Sequence, residues 1–416
     1  MRIALVHYSA PPVVGGVESV LGEHARLMAN TGHQVSILAG RGGERSDKVK
    51  FVDIPLLNSR HSEILAIKAE LDRGILPSQF EHQVNLISAA LQSALRGVDI
   101  LIAHNVCSLH KNLPLTAALH QLALLAQGPA IILWHHDLAW ATPRYRKELH
   151  DGYPWCLLRQ DWPRVAQVVV SELRQQELSA LTGLPSERIS VIPNGIDAAR
   201  FLKLEPPTIE IVNRLRLMET SPLLLLPVRI TPRKNIELAM RILAALHKWL
   251  PQAALLITGP LGPHNPANQV YWTELAAMRA ELKLGRSVFF LAELVEGFLP
   301  DALVADFYRL SDALLLPSRE EGFGIPILEA GLSGMPVFCA DIPPLARLAG
   351  AHATFFSPDA DPDAIAAKIA GHFQNSPTFN LRVRVRSEYL WERIYDQQIQ
   401  PLLDRIRHRA YEKTVS

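Results

Sequence analysis

Two glutamates, Glu321 and Glu329, flank a glycine-containing turn at the start of a predicted helix, an arrangement suited to polar ligands. The segment follows an apolar strand and reads EEGFGIPILEA from residue 320. Gly322 and Gly324 permit tight backbone turns, and free N–H groups at a helix start can bind a pyrophosphate. Glu329 can accept two hydrogen bonds from a ribose diol, and Glu321 can meet a sugar hydroxyl. We expect these residues and Phe323 to form a binding segment; the alternative is a capped helix with solvated glutamates.

Two basic residues follow the first strand predicted in the second half of the chain, Leu223–Val228. Arginine binds phosphate oxygens through a planar fork and lysine adds a compact charge. Arg229 and Lys234 can therefore stabilise the negative charge of a departing diphosphate, a task that a metal ion performs in other proteins. We expect both at the rim of a cleft, and Arg233 to be solvated. A solvated basic helix start is the competing interpretation.

Gly15 and Gly16 join the first predicted strand to the first predicted helix. Such a turn can bring backbone N–H groups close to a phosphate or an acceptor molecule. The turn lacks the GxGxxG pattern, and no acidic partner stands on a second strand, which argues against a dinucleotide site. A plain turn remains the alternative.

Polar residues also follow two strands of the first half. His135 and His136 come after the strand Ala130–Leu133. Side chains alternate along extended chain, so these histidines are not expected to share a ligand, and they lack the i, i+4 spacing of a helical zinc pair. We therefore predict no metal site. Another strand ends at His104 and Asn105, and either side chain could face a ligand; a buried, hydrogen-bonded His104 is the alternative.

The stretch from residue 140 to residue 155 combines basic and aromatic residues. Arg144 and Arg146 can hold anionic groups, and the aromatic rings can stack on a sugar. This composition suggests recognition of an acceptor molecule. A charged, solvated loop would have the same composition, so both interpretations stay open.

Apolar runs of strand length alternate with amphipathic segments along most of the chain. The runs predicted as strands are Arg2–His7, Val35–Leu38, Ile100–Ala103, Ala130–Leu133, Gln167–Val170, Leu223–Val228, Ala254–Thr258, Val288–Leu291, Ala313–Leu316 and Pro336–Cys339. This alternation predicts an α/β fold with parallel sheets covered by helices. The turn signal Pro193–Asp197 and the connector Leu204–Thr208 divide the chain into two doubly wound domains. Because ligands bind at the carboxyl ends of such strands, two facing domains suggest a cleft.

The composition excludes several classes of protein. The chain has 416 residues, of which 48% are apolar, and 42 lysines and arginines against 41 aspartates and glutamates leave a net charge of +1. This balance argues against a non-specific nucleic-acid binder. Three widely spaced cysteines argue against a disulfide framework, so a cytoplasmic location is expected. No run reaches the ~20 apolar residues of a membrane span, while peripheral membrane contact stays open.

Together these motifs resemble the retaining glycosyltransferases of family 4, which have the GT-B fold. Glu321 and Glu329 match the E-x7-E signature of that family. The segment Val228–Asn235 resembles its G-R-x-x-x-x-K-G segment, with valine and asparagine in place of the two glycines. Pro193–Asp197 resembles the interdomain segment, and Tyr389–Glu392 resembles the start of the helix that returns to the first domain. The implied domains are 1–197 and 205–385, with 386–416 packing back on the first.

The resemblance implies transfer of a hexosyl unit from a nucleoside diphosphate sugar, of the GDP-mannose or UDP-glucose type, to an acceptor hydroxyl with retention of configuration. It assigns Arg229 and Lys234 to the leaving group, Glu321 and His136 to the sugar, and Glu329 to the ribose. The residues assigned to donor binding are Gly15, Gly16, Arg229, Lys234, Gly259, Glu321, Gly322, Phe323, Gly324 and Glu329. Those assigned to the acceptor are Asn105, Asp137, Arg144 and Arg146.

The donor acts as a co-substrate, so no cofactor and no metal ion are expected. A small anionic sugar derivative is the expected acceptor, as in members of the family that build glycosylated glycerates, and a lipid-linked acceptor is the competing possibility. Two other functions remain as alternatives: a nucleotide-sugar 2-epimerase on the same fold, and a sensor that binds a sugar nucleotide without catalysis.

Overall fold

The computed structural model of the chain describes residues 1–44, 46–125, 127–261, 266–295 and 297–415. Two compact units make up the chain. The first unit comprises Met1–Ile196 together with Tyr389–Ser416, and the second comprises Asp197–Glu388. In the described ranges, no helix is both long and apolar enough to cross a bilayer.

Within the described residues, the first unit contains one parallel sheet of seven strands. The strands are β1 (Arg2–Val6), β2 (Gln34–Ala39), β3 (Val49–Asp53), β4 (Ile100–His104), β5 (Ala130–His135), β6 (Val165–Val169) and β7 (Ile189–Val191). Their order is β3-β2-β1-β4-β5-β6-β7. The helices are α1 (Gly16–Asn30), α2 (Ser62–Leu71), α3 (Phe80–Ala94), α4 (Leu113–Leu124) and α5 (Glu172–Thr182). Helices cover both faces of the sheet, which is why β1 and β4 are almost wholly apolar.

The second unit contains a parallel sheet of six strands in the described ranges, in the order β10-β9-β8-β11-β12-β13. The strands are β8 (Leu223–Leu226), β9 (Ala254–Ile257), β10 (Val288–Phe290), β11 (Ala313–Leu316), β12 (Val337–Ala340) and β13 (Thr354–Phe356). The helices are α6 (Ala198–Phe201), α7 (Pro206–Leu215), α8 (Ile236–Leu246), α9 (Pro266–Glu281), α10 (Asp301–Leu310), α11 (Ile325–Leu332), α12 (Pro343–Ala349), α13 (Pro362–Gln374) and α14 (Pro377–Glu388). A buried ion pair ties α14 to this sheet: Arg386 Nη1 lies 3.0 Å from Asp312 Oδ2.

The last segment of the chain packs on the first unit. It contains α15 (Trp391–Ile394) and α16 (Gln400–Val415). Trp391 and Ile394 belong to the same apolar core as Ile3 and Leu5 of β1. A Cβ atom on Gly195 would lie 2.7 Å from the Trp391 ring, so glycine is the residue that allows this contact. The return of the C-terminal segment to the first unit, which the resemblance implied, is confirmed.

The strands found agree with the ten predicted runs to within one or two residues at each end. The prediction omitted β3, β7 and β13. All three are edge strands of their sheets. An edge strand is only half covered, so β3 carries lysine and aspartate, while β7 and β13 have three residues each. The continuous apolar run that identifies a central strand is therefore missing from them.

Candidate active site

Each sheet reverses its strand order at one place, and open α/β sheets bind ligands there. In the first unit, the reversal lies between β1 and β4; in the second, between β8 and β11. Gly15 and Gly16 follow β1, and Arg229 and Lys234 follow β8. Glu321 follows β11. The residues assigned from the sequence therefore stand on the loops at the two reversals.

A buried ion pair joins the loops after β8 and β11. The Lys234 ammonium lies 2.5 Å from Glu321 Oε1, and the Ser318 hydroxyl donates to the same oxygen at 2.8 Å. The Lys234 side chain is 9% exposed and that of Glu321 is 8% exposed. The sequence places Lys234 at the rim of a cleft, whereas its side chain is buried in the second unit. Its long side chain turns inward because a carboxylate on the neighbouring loop is within reach.

Asn235 fixes the turn that carries Lys234. Its φ of 54° lies in the left-handed region, which asparagine tolerates better than most residues. The side-chain amide donates to the carbonyl oxygens of Pro317 and Pro358, both at 3.1 Å. Pro317 directly precedes Ser318, so this bond holds the two loops together. Asparagine thus adopts the conformation that the glycine of the family pattern would provide, and adds two hydrogen bonds.

Arg229 has different surroundings from Lys234. It is exposed, and its guanidinium carbon lies 5.2 Å from the centre of the Phe298 ring. A Cβ atom on Gly259 would lie 1.9 Å from the carbonyl oxygen of Val228, so the turn before Arg229 packs directly on this glycine. Residues 262–265 of the loop after Gly259, and residue 296, lie outside the described residues.

Glu329 is held by a tyrosine that the sequence analysis did not single out. The Tyr308 hydroxyl of α10 donates to Glu329 Oε2 at 2.5 Å. Burial, and then the hydrogen bond to Glu329, raise the pKa of the Tyr308 phenol far above its usual range, so the phenol stays protonated. Tyr308 therefore orients one carboxylate oxygen of Glu329. The two residues belong to different helices, and no local spacing connects them.

The glycines and the phenylalanine of the E-x7-E segment differ in what the fold requires of them. Gly324 caps α11 with a φ of 102°, and a Cβ atom there would lie 2.6 Å from Leu345. A Cβ atom on Gly322 would meet nothing within 4 Å beyond its chain neighbours, and the φ of Gly322 is not positive. Phe323 is 57% exposed. Gly322 and Phe323 thus face open space, where a ligand could approach.

The first unit has a cavity of about 930 Å³ at the reversal between β1 and β4. Its lining includes Gly16, Asn105 and Asp137, three of the residues assigned from the sequence. Gly15 stands beside it as the extended residue before α1. The volume suits a small organic molecule, since ligand pockets are typically about 300–1,000 Å³.

Asn105 organises one wall of this cavity. Its φ of 58° lies in the left-handed region. Its side-chain oxygen accepts hydrogen bonds from the backbone N–H groups of His136, at 3.0 Å, and Asp137, at 2.9 Å. The Asn105 amide also donates to Asp137 Oδ2 at 3.4 Å. Asn105 therefore holds the end of β5 in place and has little hydrogen-bonding capacity left for a ligand.

The two adjacent histidines are both buried and uncharged. His136 Nε2 lies 3.3 Å from His104 Nδ1, and His135 Nε2 lies 2.7 Å from Gln167 Oε1. Burial lowers the pKa of each to about 4. Among the described residues, His136 is not part of the cavity lining, whereas its neighbour Asp137 is. The two histidines have separate partners, as the alternation of side chains predicts.

The structure does not bring Arg144 and Arg146 to the cavity. Both are exposed on the short 3-10 helix Pro143–Glu148. Among the described residues, the lysines and arginines that line the cavity are instead Arg41, Arg60, Lys68 and Lys111. These four come from three separate loops and α2, and no sequence spacing connects them.

In one group of side chains, the potential ligand atoms lie close enough together to hold a metal ion. Ligand atoms of Asp72, His110 and Glu148 lie within 4.8 Å of one another. The Lys68 ammonium bonds to both carboxylates, 2.6 Å from Asp72 Oδ2 and 3.0 Å from Glu148 Oε2. His110 Nε2 lies 2.5 Å from the same Glu148 oxygen. Lys68 thus supplies the positive charge that a metal ion would bring.

Two family models match the chain. The model of glycosyl transferases group 1 matches residues 208–388, and that of glycosyltransferase family 4 matches residues 14–200. The chain is a glycosyltransferase. The two matches confirm the enzyme class that the resemblance implied, and the two parallel sheets agree with its α/β GT-B fold.

Several named proteins are similar to this glycosyltransferase. Mannosylglucosylglycerate synthase of Petrotoga mobilis is 26% identical over 370 residues, which are 82% of this chain and 83% of that protein. D-inositol 3-phosphate glycosyltransferase 1 of Catenulispora acidiphila is 25% identical, over 82% of this chain and 79% of that protein. Among solved structures, sucrose-phosphate synthase of Thermosynechococcus elongatus has a TM-score of 0.39 and 18% identity, and the match covers 97% of this chain and 98% of that one.

Proposed function

We propose that this glycosyltransferase moves a hexosyl unit from a nucleoside diphosphate sugar to an acceptor hydroxyl, with retention of configuration and without a metal ion. The observation that carries the proposal is the buried Lys234–Glu321 pair at the strand reversal of the second unit. A cation and a carboxylate held together at such a place can bind the two parts of a sugar nucleotide, the anionic diphosphate and the hydroxylated sugar.

Each donor-binding residue has a distinct task in this proposal. Lys234 and the exposed Arg229 stabilise the diphosphate as it departs. Glu321 binds a hydroxyl of the transferred sugar and faces the positive charge that develops on that sugar. Glu329, oriented by Tyr308, accepts the ribose hydroxyls. His136 contributes an uncharged imidazole, since burial keeps its pKa at about 4.

The reaction needs no separate base. The bond between the anomeric carbon and the phosphate oxygen breaks, and the acceptor oxygen forms a new bond to the same face of that carbon. The acceptor proton passes to the departing phosphate oxygen, so charge and atoms balance. The cations Arg229 and Lys234 compensate the diphosphate charge, which is the basis for expecting activity without a divalent ion.

We place the donor in the second unit and a small anionic acceptor in the cavity of the first. GDP-mannose and UDP-glucose are the donor types to test. The names of two relatives support an anionic acceptor: one is a mannosylglucosylglycerate synthase, and the other is a D-inositol 3-phosphate glycosyltransferase. Both match over more than three quarters of this chain.

A donor panel tests the proposal. The purified protein is incubated with each nucleotide sugar and with 3-phosphoglycerate, glucuronate or inositol 3-phosphate, and release of nucleoside diphosphate is measured with and without a chelator. The expected result is acceptor-dependent release that survives chelation. Complete loss of transfer with the chelator, restored by adding a divalent metal, would overturn the metal-free mechanism.

A further inference from the structure

The cavity of the first unit carries an excess of positive charge that the protein does not neutralise. Arg41, Arg60 and Lys111 line it, and within the described part of the chain none of their side chains makes a hydrogen bond or an ion pair. We infer that Arg60 and Lys111, assisted by Arg41, bind a carboxylate or phosphate group of the acceptor. This inference rests on the proposed function and assigns the residues that select its acceptor.

The fourth cation of the cavity serves a different purpose. Lys68 donates to both oxygens of Asp72, at 2.8 and 2.6 Å, and to Glu148 at 3.0 Å. Three hydrogen bonds use all the donors of an ammonium group. Lys68 therefore fastens α2 to the segment that ends at Glu148, and its charge is already balanced by two carboxylates.

The acidic residues of the cavity have partners other than these cations. Glu18 accepts a hydrogen bond from the Ser9 hydroxyl at 2.6 Å. Asp137 accepts from the Asn105 amide at 3.4 Å and lies 3.9 Å from the Arg174 guanidinium. Neither carboxylate pairs with the three uncommitted cations, so a ligand that bears its own negative charge is the natural complement.

The loops that carry Arg60 and Lys111 are fixed against each other. Asn112, next to Lys111, donates to the backbone carbonyls of Leu56 at 2.9 Å and Leu57 at 3.2 Å. The backbone N–H of Arg60 donates to the Asn58 side chain at 2.9 Å, which shapes the turn that follows. Two positive charges from separate loops are thus presented by backbone segments that are bound together, as a preorganised anion site requires.

The chemistry of these residues defines the ligand class. A guanidinium matches two oxygens of a carboxylate or phosphate, and a lysine adds a point charge. The remaining lining offers hydroxyl and amide groups, among them Ser59 and Asn58, which suit sugar or polyol hydroxyls. The cavity therefore fits a small polyhydroxylated anion better than a neutral sugar.

Calorimetric titration without any donor tests the site directly. The probes are 3-phosphoglycerate, glucuronate and inositol 3-phosphate, each compared with its neutral counterpart glycerol, glucose or inositol. Arg60→Gln and Lys111→Ala should each weaken binding of the anions by about tenfold to a hundredfold, since a hydrogen bond to a charged group contributes about 1.5–3 kcal/mol. Arg96→Ala removes an exposed arginine that is not among the lining residues and should bind the anions as the wild type does.

Kinetics then connects the site to transfer. Arg60→Gln and Lys111→Ala should raise the KM for the anionic acceptor by a similar factor while kcat and the affinity for the nucleoside diphosphate stay unchanged. Equal affinity of the wild type for anions and their neutral counterparts would overturn the inference. So would wild-type affinity in both cavity variants, or a loss confined to Arg144→Ala and Arg146→Ala.

Two further outcomes are informative. One distinguishes a soluble anion from a lipid headgroup as the ligand, and the other distinguishes failure of the anion site from failure of the proposed function. Binding to vesicles of anionic phospholipid that depends on Arg60 and Lys111, with no binding of the soluble anions, would overturn the soluble acceptor. Variant-sensitive binding of the soluble anions without transfer from any donor supports the anion site and contradicts the proposed function.

Discussion

The Lys234 ammonium and the Glu321 carboxylate neutralise each other inside the second unit, where each side chain is less than a tenth exposed. Removing one partner of a buried ion pair leaves the other charge without compensation, which is costlier than never having buried the pair. Lys234 therefore contributes to the fold as well as to the proposed diphosphate site. In the donor complex, the diphosphate would share this cation with Glu321.

Lys234→Ala should lower the free energy of unfolding by about 3–5 kcal/mol as well as the turnover, because Glu321 is left with only the Ser318 hydroxyl. Adding Glu321→Gln to the same variant removes the stranded charge, so it should recover much of the stability and none of the turnover. Urea unfolding and nucleoside diphosphate release measure the two quantities. A Lys234→Ala protein as stable as the wild type would show that the pair is not buried as described.

Glu329→Ala should weaken binding of the free nucleoside diphosphate, because the ribose belongs to that molecule. Tyr308→Phe should weaken it by a smaller factor, since the carboxylate remains but loses the hydrogen bond that orients it. Glu321→Gln, the comparison variant, leaves Lys234 free for the diphosphate, so it should bind the diphosphate at least as tightly as the wild type and lose turnover. Titration calorimetry measures all three. If Glu321→Gln loses diphosphate affinity and Glu329→Ala keeps it, the two roles are reversed.

At the scale of single residues, the sequence identified Glu321, Glu329 and Lys234 because their spacing matches a family pattern. It could not identify Ser318 or Tyr308 as their partners. A serine and a tyrosine are common residues, and they become informative only when another loop or helix brings a carboxylate to them. Burial of Lys234 was missed for the same reason.

At the scale of elements, the turns that follow the central strands determine where the predicted glycines matter. Gly259 packs on the backbone of Val228, and Gly322 faces open space. From the sequence alone, both are glycines near a binding loop and cannot be distinguished. Only the packing distinguishes a glycine that the fold requires from one that leaves room for a ligand.

Gly259→Ala should therefore lower the melting temperature and turnover together, because its Cβ would collide with a backbone carbonyl that cannot rotate away. Gly322→Ala is the matched control for the fold. Its melting temperature should equal that of the wild type. Its KM for the donor should rise, because the added methyl group takes up space through which the diphosphate reaches its site. Thermal unfolding and donor kinetics measure the pair. A Gly322→Ala protein with wild-type donor KM would remove Gly322 from the donor site.

At the scale of the whole molecule, both sheets and the return of the C-terminal segment follow from the alternation of apolar runs and the family pattern. The positions of the cavity cations do not follow from either of these. Arg41, Arg60 and Lys111 stand on loops after different strands, and the sequence pointed instead to Arg144 and Arg146, which are close together in the chain and exposed. Local clustering of charge is visible in a sequence, whereas convergence of distant loops requires the folded chain.

Several buried histidines make the stability of the molecule depend on pH. Burial lowers the pKa of His7, His135 and His136 to about 4 and that of His24 to about 3, and it also lowers the pKa of His104 and His110. In the unfolded chain each has a pKa of about 6.5, so unfolding below that pH takes up protons. The stabilising contribution is complete above about pH 6.5 and is lost as the pH falls toward 4. Each histidine that stays neutral should give a slope of about 1.4 kcal/mol per pH unit.

His24→Leu tests this dependence at one position. Among the described residues, neither His24 ring nitrogen has a hydrogen-bond partner, and the ring packs between Trp134 and Trp391. Leucine should keep the packing and remove one titrating group, so the loss of stability between pH 6.5 and 4 should become shallower by about one proton. Urea unfolding across this pH range gives the slope. An unchanged slope would mean that His24 does not remain neutral in the folded protein.

The most direct test of the central claim is an NMR spectrum of the product formed from a nucleotide sugar labelled with ¹³C at the anomeric carbon. With an anionic acceptor and the chelator present, we expect a new glycosidic anomeric signal with the configuration of the donor, and no change in the donor when the acceptor is omitted. A product of inverted configuration would contradict retention. Conversion of the donor sugar without any acceptor would show an epimerase instead of a transferase.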